Sequence, residues 1–355
     1  MPTAAPPRSR SGAVLERHWI AAESALARLD EALKADPVLR GYWYHDTMRR
    51  EASAMAWLAG EPTGPDQLAR ALIDHAARGE AAQCHLALGM VLTDAAPATP
   101  NLDWLQQLAR RASSHTSGQA PDSRRFSLEQ ERSLNTLLHP LWRDPKQEAH
   151  LSLVDVATLY RALHTHPSSL DPAATPPLRD PPGRRSPRTA QELAIIEHVY
   201  PHRAANSILA QLLLPVLARN FRRLHHPCLG IAQILAKRSG AALAAIAAGD
   251  ETWVPFFLEA AAAAARGLHH RLGVLQLVAQ RWQSAIGRRR ADSLLPEALD
   301  LIFEHGAASS TLFAERFRIS TPAALKLIDV LTRAHVIRAV SAASTYRKYL
   351  ATDLL

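Results

Sequence analysis

Ser293 to Leu350 reads SLLPEALDLIFEHGAASSTLFAERFRISTPAALKLIDVLTRAHVIRAVSAASTYRKYL, and the order of elements in it assigns the C-terminal part of the chain. Leu294 to His305 is a predicted helix: Leu295, Leu299, Ile302 and Phe303 recur at helical spacing, and Gly306 stands just past its end. Ser309 or Ser310 caps a second helix, Thr311 to Phe317, expected to bury Leu312 and Ala314 or Phe317. Arg318-Ile319 turns the chain. Ser320 is the N-cap of a third helix, with Pro322 in its first turn, running to about Ala334. Leu325, Ile328 and Leu331 are its expected buried stripe. Val336 to Val340 reads as a strand, Ser341 to Ser344 as a turn, and Thr345 to Leu350 as the returning strand.

Three helices followed by a hairpin is the winged-helix order. A third helix of this kind enters the DNA major groove with its N-terminal residues at base edges. Ser320, Thr321, Ala323 and Lys326, with Leu327, are the candidate reading residues, and Tyr346, Arg347 and Lys348 on the wing are placed to reach phosphates. From Arg281 to Leu355 there are eleven Lys/Arg against seven Asp/Glu, half of the chain's net charge of +8 in about a fifth of its length. The alternative is a protein-contact unit, because the reading helix carries few base-reading side chains.

Outward from this unit the sequence is mainly α. A basic, Pro-rich tail, 1–12, is expected to be disordered. An amphipathic helix over Ala13 to Ala35 places Leu15, Trp19, Ala22, Leu26 and Leu29 on one face. Asp36-Pro37 turns, a second helix runs from about Tyr44 to Leu58, and Gly60 to Gly64 ends it. Two further helices fill 65–93, broken around Gly79, and others are expected at 102–113 and 127–142. Leu151 to His164 is another helix, with Ser152 as N-cap before Asp155. Seven prolines between 167 and 188 exclude helix there. From Ala190 to Gly287 the chain is nearly all helix, with expected breaks at Tyr200-Pro201, Pro227, Gly240 and Gly249-Asp250. The organisation is thus a tail (1–12), an N-terminal helical region (13–125), a helical core (126–287, with 167–188 as a Pro-rich loop) and the C-terminal unit (288–355).

Within that core, Glu197 to Pro215 reads EHVYPHRAANSILAQLLLP. Its window from Tyr200 to Gln211 resembles the active-site motif of the Fic family, which transfers nucleotides onto proteins. The family's motif is His-Pro-Phe-x-Asp-Gly-Asn-Gly-Arg-x-x-Arg at a loop-to-helix junction. The upstream AIIEHVY, the downstream helices with Asp250-x-x-Trp253-x-x-Phe256-Phe257-Leu258, and LSLVDVATLYRALH resemble the family's flanking helices. The Pro-rich stretch sits where the family has its flap. The resemblance implies a Fic-like helical body, with Proteobacterial proteins that end in a helix-turn-helix unit as the nearest likeness.

Only Pro201 and Asn206 match the motif outright. The base position is Tyr200, whose phenol ordinarily titrates near 10. The metal position is Ala204. Ala205 and Ser207 replace the phosphate-cradling glycines, and Ile208 and Gln211 replace the arginines. Such a motif implies no transfer chemistry. A run resembling the family's inhibitory helix, Glu51 to Gly60, has Ala59 where the restraining glutamate would stand, which agrees with the loss of its arginine partner at Gln211.

The remaining features are quieter. Cys84 and Cys228 form no disulfide framework or zinc motif. Seventeen histidines include the pairs His225-His226 and His269-His270, but helix neighbours point apart, so no metal or cofactor is expected. Trp253, Phe256 and Phe257 read as core. No apolar run reaches membrane-spanning length and no signal-peptide pattern opens the chain, so a cytoplasmic setting is expected. The reading is therefore a DNA-binding regulator, paired as a homodimer, on a degenerate Fic-like scaffold. The alternatives are a pseudoenzyme or adaptor that binds a protein partner or nucleotide without chemistry, and a residual nucleotidyl (AMP) transferase.

Overall fold

The computed structural model describes residues 10–58, 63–73, 80–93, 152–165, 226, 230–287, 293–340 and 347–354. The motif window Tyr200 to Gln211, the Pro-rich loop 167–188, the helices expected at 102–113 and 127–142, and Tyr346 lie outside these residues.

The described chain is mainly helical. Helix α1 (Arg10–Ala35) starts at Arg10 rather than Ala13. It buries Ala22, Leu26 and Leu29 as its spacing predicts, while Trp19 stays exposed and donates its indole N–H to Glu23 at 3.2 Å. Helix α2 (Pro37–Leu58) begins well before the expected Tyr44. The Asp36 carboxylate accepts from the Val38 and Leu39 N–H groups at 3.0 and 2.9 Å. A capping Asp followed by Pro at the first helical position starts a helix, so Asp36-Pro37 is a one-residue break and not a longer turn.

Helices α3 (Pro65–Leu72) and α4 (Glu80–Thr93) follow. Helix α5 (Leu153–Thr165) opens on a reciprocal cap: the Asp155 N–H donates to Ser152 Oγ at 3.2 Å, and the Ser152 N–H donates to the Asp155 carboxylate at 2.8 Å. Helices α6 (Ile231–Lys237) and α7 (Ser239–Ala248) meet at 97°. The break falls at Arg238, and Gly240 is accommodated inside α7.

Helix α8 (Asp250–Ile286) is the spine of the fold. It has 37 residues, which makes it about 55 Å long at 1.5 Å per residue. Asp250 and Glu251 in its first turn favour the positive end of the helix dipole. Buried Ala260, Ala261, Ala262, Ala264 and Ala265 give it an alanine surface against which neighbours pack closely, and α1 lies along it. At one end Trp253 is fully buried, stacks on Tyr160 of α5 and donates to the Ala157 carbonyl at 2.7 Å. Phe257 is also buried, whereas Phe256 is half-buried with the Arg238 guanidinium 4.8 Å over its ring. At the other end Trp282 packs on Phe303 with ring centroids 4.8 Å apart.

Past Gly287 come α9 (Leu295–His305), β1 (Ala307–Ser309), α10 (Ser310–Phe317), α11 (Thr321–Arg333), β2 (Ile337–Ala339) and β3 (Lys348–Ala351). The three strands form an antiparallel sheet in the order β1-β3-β2, with Ala308 opposite Tyr349 and Arg338 opposite Leu350. Strand β1 has no counterpart among the elements expected from the sequence. It is three small residues, all buried, and carries no alternation to read. It matters because it ties the chain between α9 and α10 to β3, and α3 packs on both strands through Ala69, Ile73, Ala307 and Leu350.

Candidate functional site

The outward part of the C-terminal unit is built around α11. Ser320 caps it, its hydroxyl accepting from the Ala323 N–H at 3.4 Å, and Pro322 supplies a first-turn residue that needs no hydrogen-bond acceptor. Preceding it, Arg318 holds a left-handed backbone at φ 52° and closes the turn after α10. Helix α10 is capped by Ser309, whose hydroxyl accepts from the Leu312 N–H at 3.1 Å.

Two expectations about burial are corrected. The residue that α10 buries is Phe313, with Leu312 half-buried. The stripe that α11 buries is Ala324, Ile328 and Leu331; Leu325 is 48% exposed. The expected stripe is spaced three and three and spreads over about 120° of the helix, whereas the observed one is spaced four and three and lies within about 60°. The small Ala324 faces the core, and one step of about 100° round the helix turns Leu325 to solvent.

Helix α11 rests on α10 and β2. Of the residues expected from the sequence to read DNA, Ser320, Thr321 and Lys326 are exposed and Ala323 is half-buried. Arg347 is exposed ahead of β3, and Lys348 is half-buried in β3, where it pairs with Ser309 in register. The Val340 N–H donates to the Lys348 carbonyl at 3.0 Å, closing the β2–β3 pairing next to Arg347 in the chain. Tyr346 lies outside the described residues.

Arg316, Arg318 and Arg338 are further exposed cations on α10, the turn and β2. No local sequence signal marks them, because only the turn and strand geometry puts them on the outer elements. At the far end of α11, Arg333 pairs with Asp329 at 2.5 Å, so the two charges offset one another.

Acidic residues are engaged on the other side. Tyr42 of α2 donates to Asp300, which together with burial of the ring pushes the phenol far above its ordinary value, burial being the larger cause. Trp282 donates to Asp353 at 3.0 Å, and Arg281 pairs with the same carboxylate. Asp300 and Asp353 are thus engaged toward the helical body, while exposed Glu315 on α10 and Asp329 on α11 stand among the cations of the outer elements.

The body grips this unit through α2. Arg49 is 1% exposed and donates to the Phe303 and Glu304 carbonyls at the C-terminus of α9, where a cation satisfies orphan acceptors and the negative helix end. Burial, ahead of its charged neighbours, lowers the guanidinium to about 10, so it remains charged at neutral pH. Gly306 makes room: it has φ +71°, and a Cβ there would lie 3.0 Å from Arg49 Nε. Around Arg49 stand three imidazoles. Burial first, and then the charge of Arg49, lowers His45; the same causes with His45 and His305 push His85 down to about 3.

One turn earlier, Asp46 accepts from Arg271 of α8 at 2.8 and 2.9 Å and from Arg50 at 3.1 Å, and both arginines also donate to the Leu354 carbonyl. Two residues past Arg49, buried Glu51 accepts from the Ala232 N–H at 2.8 Å and from the Gln233 amide at 3.2 Å, tying α2 to the start of α6. Burial is the largest influence on Glu51 and raises its carboxyl.

The histidine pairs of the sequence have ordinary roles where they are described. His269 and His270 are exposed on α8, and the His226 N–H donates to Asp30 at 2.9 Å. Among the described residues, no group of three or more His, Cys, Asp or Glu side chains is placed to share a metal ion. Nor, among them, is any single helix long and apolar enough to cross a membrane. No protein-family model matches the chain, and no curated protein matches it.

Proposed function

We propose that the chain is a DNA-binding transcriptional regulator in which a C-terminal winged-helix unit reads DNA and a Fic-like helical body without transfer chemistry carries it. The reading rests on the element order α9-β1-α10-α11-β2-β3 with its three-stranded antiparallel sheet. One observation carries it furthest. Helix α11 buries its Ala324, Ile328 and Leu331 stripe against its own unit and leaves Thr321 and Lys326 exposed in its first two turns, with cations on the hairpin beside it. That is the disposition major-groove reading needs. The Fic-like part of the proposal rests on the motif resemblance, and the substitutions at Tyr200, Ala204, Ser207 and Gln211 favour a scaffold over an enzyme. Two copies on a two-fold site is the arrangement that half-site reading favours.

Fluorescence-anisotropy titrations of the full chain against duplex from around its own gene, at a series of salt concentrations, test this. Affinity should fall steeply with salt. The double variant Lys326→Ala with Arg347→Ala should lower affinity, and reduce the slope of log K against log salt by about 1 for the phosphate that Arg347 no longer neutralises. Absence of duplex binding even at low salt sinks the proposal.

A further inference from the structure

Resting on the DNA-binding reading, we infer that the exposed Leu325 is an apolar base contact, and that the partner is a duplex presenting a thymine methyl group in the major groove opposite it. Four features converge on α11. Thr321 and Leu325 are one turn apart on the exposed side, and Pro322 and Lys326 form the adjoining row. Leu325 is 48% exposed on a short helix whose own unit is already packed through Ala324, Ile328 and Leu331, so folding does not need it outside. The next turn closes the footprint, because Asp329 and Arg333 satisfy each other and offer phosphate no net charge. The unit that carries this apolar spot also exposes Arg316, Arg318, Lys326, Arg338 and Arg347 beside the carboxylates Glu315 and Asp329, and its eleven Lys/Arg against seven Asp/Glu from Arg281 to Leu355 leave a positive excess complementary to a polyanion.

In the major groove the only apolar feature that distinguishes one base pair from another is the C5-methyl of thymine. A leucine has no donor or acceptor, so it reads that group or nothing. Thr321, with one methyl and one hydroxyl, can support the same contact one turn earlier. Lys326 beside it supplies the donor for a guanine O6 or N7. The inferred half-site therefore pairs a thymine under Leu325 with a neighbouring guanine under Lys326.

The test begins with selection of duplexes from a random-sequence library by the full chain. An enriched duplex is then remade with deoxyuridine replacing each thymine in turn, which removes one methyl and changes no hydrogen bond. Uridine at one or two positions should weaken binding by about fourfold each, the effect of re-exposing one methyl-sized apolar group. Leu325→Ala should bind the thymine and uridine duplexes alike while melting at the wild-type temperature. Enrichment of a sequence that binds equally with uridine throughout overturns the inference and leaves the DNA-binding reading intact. So does a Leu325→Ala variant that keeps the discrimination. Loss of self-association in Leu325→Ala during sedimentation, without any methyl effect, reassigns the residue to contact between copies and overturns it too. No enrichment at all overturns both readings.

Discussion

Arg49 is the residue on which the joint between α2 and α9 depends. It is buried, its two terminal nitrogens are spent on carbonyls, and Gly306 leaves it space. A cation so placed tolerates neutral imidazoles beside it but not charged ones. His45 and His85 are accordingly held below their ordinary value, and the sign of the pH dependence follows. An imidazole with a lowered folded pKa takes up protons more readily in the unfolded chain, so folding is favoured above about 6.5 and loses ground as pH falls toward the folded value, about 3 for His85. The urea midpoint should decline between pH 7 and pH 5, before most carboxylates titrate. His85→Gln should show a shallower decline over that window. An unchanged pH profile in the variant would show that His85 does not contribute. No sequence signal marks this cluster, since residues 45, 49, 85 and 305 meet only through the packing of α2, α4 and α9.

At the scale of the element, α11 separates what local pattern can and cannot tell. Its start was legible: Ser320 before Pro322 is a cap followed by a proline that fits the first turn, and the observed helix begins at Thr321. Gly306 after α9 was legible for a similar reason, since a left-handed residue ends a helix cheaply only as glycine. The buried face was read one step off, because Leu325 is the more apolar side chain, although Ala324 makes the tighter four-and-three repeat with Ile328 and Leu331. Ile328→Ala should cost about 3 kcal/mol in chemical denaturation, the range for emptying a packed aliphatic site. Leu325→Ala should stay within about 0.5 kcal/mol, as surface substitutions do. Equal costs for the two would mean that Leu325 is packed, and would remove the exposed apolar spot from the proposed DNA face.

At the scale of the molecule, the C-terminal unit and the helical body share their most buried polar contacts. Asp46, 2% exposed, is held by Arg271 and Arg50, and both arginines also hold the Leu354 carbonyl. Trp282 at the end of α8 packs on Phe303 and donates to Asp353. A junction of this kind predicts one cooperative unfolding transition in calorimetry, with the C-terminal unit melting together with α2 and α8. Arg271→Ala leaves Asp46 with a single cation in a buried place and should cost about 3 kcal/mol, the range for breaking a buried ion pair by removing one partner. It should also loosen the tail. Two resolved transitions in the wild-type chain would show instead that the unit is only tethered.

The sequence by itself determined the features that act within a few residues: the high helix content, the caps at Ser320 and Ser152, the glycine stop at Gly306, and the core positions Trp253 and Phe257. The caps and the stop follow from backbone preference or a hydrogen bond reaching no more than four residues, and the core positions from the apolar character of the side chains themselves. Tertiary structure alone decided that three small residues form β1, and that Arg49, Asp46 and Glu51 hold the body to α9, the C-terminal tail and α6. Those outcomes depend on partners far along the chain: Phe303 lies 254 residues from Arg49, and Arg271 lies 225 from Asp46. A charge or a small apolar residue reads the same locally whether or not such a partner meets it. Only the packed fold supplies the partner, and with it the burial that turns a surface charge into a structural one.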